Sequence, residues 1–373
     1  MPSATKPASA TEWVASLSPW PEEFGLDGMR RLLAALGEPQ RSFPSVHVVG
    51  TNGKSTATRT IAALLRAEGL QAGAYTSPHV SGWHERLDCD PEAFERAVAR
   101  IREPAEELGA TQFEALTAAA LAEFAAAGVE AAVVEAGLGG RLDATNVLNA
   151  PVVVLTNVDL EHTNVLGCTR EEIAREKLAV IRPGATAVLG EPEWEEFARE
   201  MGAAAVVVTG RSNLALAVAA AESFLGKPVD PGPAEEISVP GRLERVGEAP
   251  LEIWDGAHNL PGVGYVLARL PARSYVVVAS ILGDKDVDGM LAALSALGAI
   301  FVATTSSNER ALPADALAGR AGRFFARVEV VPAPDSAIEL ARELAGAEGA
   351  VLVTGSLYLL ADLAAVRPQA PVP

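Results

Sequence analysis

Cysteine is almost absent from this chain. Cys89 and Cys168 are its only two in 373 residues, too few for a disulfide framework or a metal knuckle, and neither has a CxxC neighbour. They are expected to be buried or inert thiols. Basic residues are the minority charge, 30 Lys and Arg against 48 Asp and Glu, giving a net charge of −18. That balance excludes a broad nucleic-acid or anionic-membrane surface, since both need basic patches. Any anionic ligand must then be held by a local cluster. No apolar run reaches the roughly 18 residues of a membrane span, and the opening MPSATKPASATEW lacks the apolar core of a secretory signal. The expectation is a cytoplasmic enzyme with a disordered tail over residues 1–20.

What the chain does have is small apolar side chains. It is 49% hydrophobic but only 5% aromatic, and rich in alanine. This is the composition of an α/β protein, and the length suggests roughly two domains. Residues 46–56, VHVVGTNGKST, organise the rest. A β-favouring run enters a Gly-rich turn, and the turn opens a helix. Gly50 and Gly53 let backbone N–H groups approach an anion, the helix points its positive end there, and Lys54 adds a charge. Ser55 and Thr56 offer hydroxyls to a phosphate-bound Mg²⁺. The usual spacing G-x-x-x-x-G-K-S/T is matched only in part, because Val48 stands where its first glycine belongs.

Residues 22–37 carry Met29, Leu32, Leu33 and Leu36 at helical spacing, a packed helix ahead of the first strand. After the phosphate turn a helix and the strand in QAGAYTS complete a βαβ unit. SPHVSGWHERL, residues 77–87, has no amphipathic period and reads as a functional loop or a solvated connection. Helices follow over 91–108 and 114–127. The strand in AAVVEAGLGG then delivers Glu135, and the strand in PVVVLTNVDLEHT delivers Asp159, Glu161 and His162, to carboxyl ends where α/β proteins bind ligands. Mg²⁺ held by Glu135 and His162 competes there with simple capping and loop hydrogen bonds. A helix over 169–181 opens with a capping box, Thr169 and Glu172, and on it Lys177 looks like a surface residue. Pro, Gly and acidic residues without a period mark a linker over 231–243. Strand patterns restart at Leu251 and alternate with helix-length segments, defining a second, smaller doubly wound domain over 244–373.

The motifs GTNGKST, TSPH with HERL, FEALTAAA, VVEAGLGGRLDATNV, NVDLEHTNVLGCTREEIAREK, PGRLE, DGAHN and GDKD occur in that order between residues 26 and 290. In this the chain resembles dihydrofolate synthase/folylpolyglutamate synthase, a branch of the Mur ligase superfamily. The resemblance implies an N-terminal P-loop ATPase domain over 21–230 with a mostly parallel sheet, a C-terminal Rossmann-like glutamate ligase domain, and ATP between them. It implies an ATP-dependent ligase, acting as a monomer, that adds L-glutamate to dihydropteroate or folates. Another Mur-type amino-acid ligase and a non-catalytic ATP-binding regulator stand as alternatives.

Residue by residue, the resemblance implies ATP binding by Gly50, Thr51, Asn52, Gly53, Lys54, Ser55, Thr56, Asn213, Arg242, Asp255, His258 and Asn259. Two Mg²⁺ ions would be served by Ser55 or Thr56, Glu135, His162 and Lys177, the last matching a carbamylated lysine. Lys54, His162 and Lys177 would be catalytic. The pterin or folate would meet Ser77, Pro78, His79, Phe113 and Asp143, and Lys285 and Asp286 belong to a DKD motif. Ser55 replaces the second glycine of the family's usual GTNGKGS, as in the peptidoglycan Mur ligases. The segments between HERL and FEALT and between 190 and 211 are shorter than the family norm, and Leu260 follows DGAHN in place of proline.

Overall fold

The structure, a computed structural model, describes residues 9–235 and 237–366. Two compact units divide them. The first runs to Pro78 and resumes over Trp83–Ile237, and the second comprises His79–Gly82 and the chain from Ser238 onward.

The first unit is built on six strands, β1 Ser45–Val49, β2 Ala72–Tyr75, β3 Ala131–Glu135, β4 Val152–Leu155, β5 Thr186–Leu189 and β6 Ala205–Val208. They lie in the order β2-β3-β1-β4-β5-β6 and every neighbouring pair is parallel. Every residue of β1 to β4 is buried, which explains why these strands are apolar runs and not alternations. Helices α1 Ala10–Ser16, α2 Asp27–Ala35, α3 Lys54–Ala67, α4 Pro91–Leu108, α5 Gln112–Ala127, α6 Thr163–Leu166, α7 Arg170–Leu178, α8 Glu195–Glu200 and α9 Asn213–Leu225 accompany the sheet. Val46 and Val48 pack with Ile61 and Leu65 of α3 and Leu216 of α9. Val134 and Tyr75 pack with Leu32, Phe94 and Leu116 from α2, α4 and α5. Both faces of the sheet are therefore covered, as a parallel sheet requires.

The second unit repeats the architecture with β7 Glu244–Glu248, β8 Leu251–Trp254, β9 Tyr275–Ala279, β10 Ile300–Ala303, β11 Arg327–Val330 and β12 Ala350–Thr354, ordered β11-β10-β9-β12-β8-β7. Only β7 with β8 is antiparallel among these pairs. The strands expected from Leu251 onward are present, whereas β7 carries no apolar run and was not foreseen.

Three expectations need correction, and one on the cysteines is met in part. The tail expected over 1–20 is helical from Ala10, where Ser9 and Glu12 form a capping box and Trp13 is buried; residues 1–8 lie outside the described residues. Ala10 N–H also bonds to the Glu95 carboxylate, so tertiary contacts hold α1 in place. Within the expected linker, Gly232–Glu235 form a short helix, α10, and Ala234 is buried against the first unit's core. Proline and glycine there begin a turn that packs. Cys168 is exposed; Cys89 is partly buried, and burial pushes its thiol up to about 12. Lys177, surface-like by pattern, is buried at 4% exposure, because the glycine loop after β3 lies on its helix.

Candidate active site

β1 sits between β3 and β4, with Val48 beside Glu135 and Val49 beside Leu155. Gly50, Glu135 and Thr156 therefore stand together at the carboxyl ends of adjacent strands, where connections leave the sheet in opposite directions.

The turn after β1 needs its two glycines. A Cβ on Gly50 would lie 1.9 Å from Thr156 Oγ1, and Gly53, at φ +83, would meet Asn213 at 2.6 Å while capping α3. Asn213 is thus brought to the phosphate loop. The loop is then tied to the turn after β4. Thr51 N–H donates to Asn157 O at 3.0 Å, Asn52 N–H to Asn157 Oδ1 at 3.0 Å, and Thr156 Oγ1 to Asn52 O at 2.7 Å. A backbone fixed this way is preorganised for an anion, needing no rearrangement on binding.

Glu135 is 1% exposed, and a carboxylate so buried needs partners. Ser55 Oγ donates to its Oε1 at 3.1 Å and Ser77 N–H to its Oε2 at 3.0 Å. Ser55, and not its neighbour Thr56, is therefore the hydroxyl set on the strand-end acid. Lys177 Nζ, on α7, donates to Gly50 O at 2.7 Å. Burial, and after it the nearby Lys54 charge, lowers its pKa to about 7. Two amines held this close repel unless an anion joins them. Gly50, Thr51, Lys54, Lys177, Glu161 and His162 line one small cavity, and Gly137, Leu138 and Gly139 close it. Glu161 was not singled out as a site residue, although it lies beside His162 and acts electrostatically on Lys177. His162 is held at φ +52, a backbone conformation in which histidine is over-represented, and is exposed.

Of the residues expected around the pterin, Phe113 and Asp143 converge on the same glycine loop. A Cβ on Gly137 would lie 2.6 Å from the Phe113 ring. Leu138 N–H donates to Asp143 Oδ2 at 2.8 Å, and Asp143 Oδ1 accepts from Thr145 N–H at 3.0 Å and from the Thr145 hydroxyl. Burial raises the Asp143 pKa, opposed by these hydrogen bonds. Ser77 joins the site through Glu135 and is followed by a cis bond to Pro78, whereas His79 belongs to the second unit. By sequence alone His47 is only a strand residue. It is 1% exposed, with Nε2 2.8 Å from Thr145 Oγ1. A histidine amid valines was the available signal.

In the second unit, Asp255 accepts from Leu243 N–H and Ala257 N–H, both at 2.8 Å. Burial raises its pKa against the opposing charge of Arg242. His258 Nδ1 lies 3.1 Å from Gly256 O, and Asn259 caps α11, Leu260–Leu267, through Gly262 N–H. These four expected nucleotide residues are thus gathered at one strand end. Asp286 caps α12, Val287–Leu294, through Gly289 N–H, a structural role.

A larger cavity of about 670 Å³, lined by Arg30, Arg41, Asn149 and Arg182 among others, lies away from the glycine turn. Size does not choose the site here; the concentration of buried charge does. The residues fit a metal–nucleotide ligand. Lys54 and Lys177 need an anion between them, and Ser55 Oγ with the Glu135 carboxylate is the hard oxygen set that Mg²⁺ prefers. Among the described residues, no three His, Cys, Asp or Glu side chains form a ready-made metal cluster, so a metal would depend on phosphate oxygens as well.

Two sheets, one parallel and one mostly parallel, with a glycine phosphate turn, a strand-end carboxylate and a buried lysine define a Mur-type ATP-dependent ligase. Residues 48–224 match the Mur ligase middle domain and 241–357 the glutamate ligase domain of Mur ligases. The chain is similar to dihydrofolate synthase/folylpolyglutamate synthase of Mycobacterium tuberculosis, 35% identical over 87% of this chain and 84% of that protein. It belongs to the dihydrofolate synthase/folylpolyglutamate synthase family. Escherichia coli FolC in complex with DHPP and ADP superposes with a TM-score of 0.86 at 29% identity, over 96% of this chain and 97% of that one. A bifunctional folylpolyglutamate synthase/dihydrofolate synthase with Mn, AMPPNP and L-glutamate bound gives 0.84 at 30% identity, over 96% and 98%. No described helix is long and apolar enough to cross a membrane.

Proposed function

We propose that this chain joins L-glutamate to the carboxylate of dihydropteroate and of folates, using ATP. One observation carries the assignment. The loop lining the phosphate cavity, Gly137–Gly139, is the loop against which Phe113 and Asp143 are held. An aromatic ring and a buried carboxyl, suited to a flat heterocycle with N–H donors, thus adjoin the site of phosphoryl transfer.

The chemistry follows from charge. A substrate carboxylate oxygen attacks the γ-phosphorus and ADP leaves, so one anion must approach another. Lys54 and the fixed turn offset that repulsion and align the groups. Mg²⁺, held by Ser55 and Glu135 with His162 and Lys177 nearby, would supply further neutralisation of the phosphates. The acyl phosphate is then attacked at carbon by the glutamate amine. The tetrahedral adduct loses a proton and expels phosphate, leaving the amide. No protein nucleophile is required.

Phosphate release is expected only when ATP, Mg²⁺, glutamate and a pteroate or folate are present together. Turnover with a UDP-muramyl precursor and none with dihydropteroate or tetrahydrofolate would refute the assignment.

A further inference from the structure

We propose that His47 is a positioning residue for the pterin-side carboxyl Asp143, acting through the Thr145 hydroxyl; this rests on the pterin assignment of Asp143 made above. His47 lies in the central strand, on the side opposite Val46 and Val48, and is 1% exposed; Thr145 and Asp143 are also buried. Three polar groups in one dry region must share their protons without leaving one unmatched. The Thr145 oxygen lies 2.8 Å from His47 Nε2 and is bonded to Asp143 Oδ1.

Proton counting fixes the direction. Thr145 has one hydroxyl hydrogen, and it is donated to Asp143 Oδ1, so none is left for His47. His47 must then donate to Thr145 Oγ1, which makes it the Nε2–H tautomer. Its pKa, lowered to about 3 by burial and by the Arg182 charge, keeps the ring neutral at working pH, so this direction persists. The chain His47 to Thr145 to Asp143 therefore polarises the threonine hydroxyl toward the carboxylate and orients its Oδ1. Leu138 N–H holds Oδ2 from the loop lining the phosphate cavity. Besides His47 and Thr145, the charged or titratable groups acting here are Lys177 and Tyr75 toward Asp143 and Arg182 toward His47.

A buried histidine that only completed the core would affect folding alone. A positioning histidine affects one substrate. In the full-length enzyme with ATP, Mg²⁺ and glutamate, His47→Leu and Thr145→Val should each raise KM for dihydropteroate about 10-fold, with KM for ATP within about twofold. Each removes a donor favouring ionised Asp143, so the acid limb of kcat/KM for the pterin should move up by about half a unit or more. The double variant should be no worse than the worse single one, because both break one chain. His47→Gln, which keeps an N–H donor, should recover to within about threefold. If His47→Leu does not fold, Thr145→Val, which deletes only the hydroxyl's bonding, carries the test. Unchanged pterin KM and acid limb in folded Thr145→Val, or equal rises in both KM values, would overturn the proposal. Asp143→Asn separates the two levels. If it raises pterin KM while the other variants do not, the relay alone falls; if it does not, the pterin assignment falls and the relay with it.

Discussion

Lys177→Ala is expected to lower turnover about 1,000-fold, close to inactivity, although the residue sits on a helix whose sequence pattern looks solvated. Its Nζ is buried and bonded to Gly50 O, so the side chain reaches under the phosphate turn itself. Gly140 packs on the carbonyls of Glu176 and Lys177 so closely that a Cβ there would lie 2.6 Å from Lys177 O. The glycine loop and α7 thus hold the amine in place. Resemblance to the family implies a carbamate at this position, formed when the neutral amine adds to CO₂ and releases a proton. The change would turn a cation that repels Lys54 into an anionic acceptor. Partial rescue of Lys177→Ala by a short added carboxylic acid is the expected outcome. An alanine variant with undiminished turnover, measured by phosphate release with bicarbonate present, would end this assignment.

Lys54→Ala is expected to lose at least about 100-fold in turnover, since a preorganised charge at a transferring phosphoryl usually contributes several kcal/mol. The amine is anchored locally, donating to Thr51 O at 3.2 Å across the glycine turn. Its removal should leave the fold intact, because α3 packs through Ile61, Leu64 and Leu65 and not through the lysine. Steady-state phosphate release beside a thermal melt checks both halves. A folded variant within about threefold of the parent would show that phosphate is handled elsewhere.

These two lysines show what the sequence makes legible. The place of Lys54 at a helix start was readable because the turn chemistry around it is local: glycines, a helix start and a strand end within eleven residues. Glu135 was readable for the same reason, standing where an apolar strand stops and glycines begin. The capping box of Thr169 and Glu172 was likewise local, and both of its hydrogen bonds are present. Lys177 was not readable from its helix, because its burial depends on a loop nearly forty residues earlier in the chain. His47 was hidden similarly, its partner Thr145 lying 98 positions away. The helix at Ala10–Ser16 could have been found, since Ser9 and Glu12 have capping-box spacing, but its polar, alanine-rich surroundings masked it. Nothing local marks His79–Gly82 as part of the second unit, where Val80 is buried with Trp254 and Leu360. Membership in a core formed more than 150 residues downstream is a property of the fold.

Transfer of one oxygen tests the central claim most directly, that a substrate carboxylate is activated by phosphorylation before glutamate attacks. Dihydropteroate labelled with ¹⁸O in its carboxyl group, incubated with the enzyme, ATP, Mg²⁺ and glutamate, should give one ¹⁸O in the released phosphate for every amide formed. Amide formation with unlabelled phosphate would contradict the acyl-phosphate route and the roles assigned to the phosphate loop.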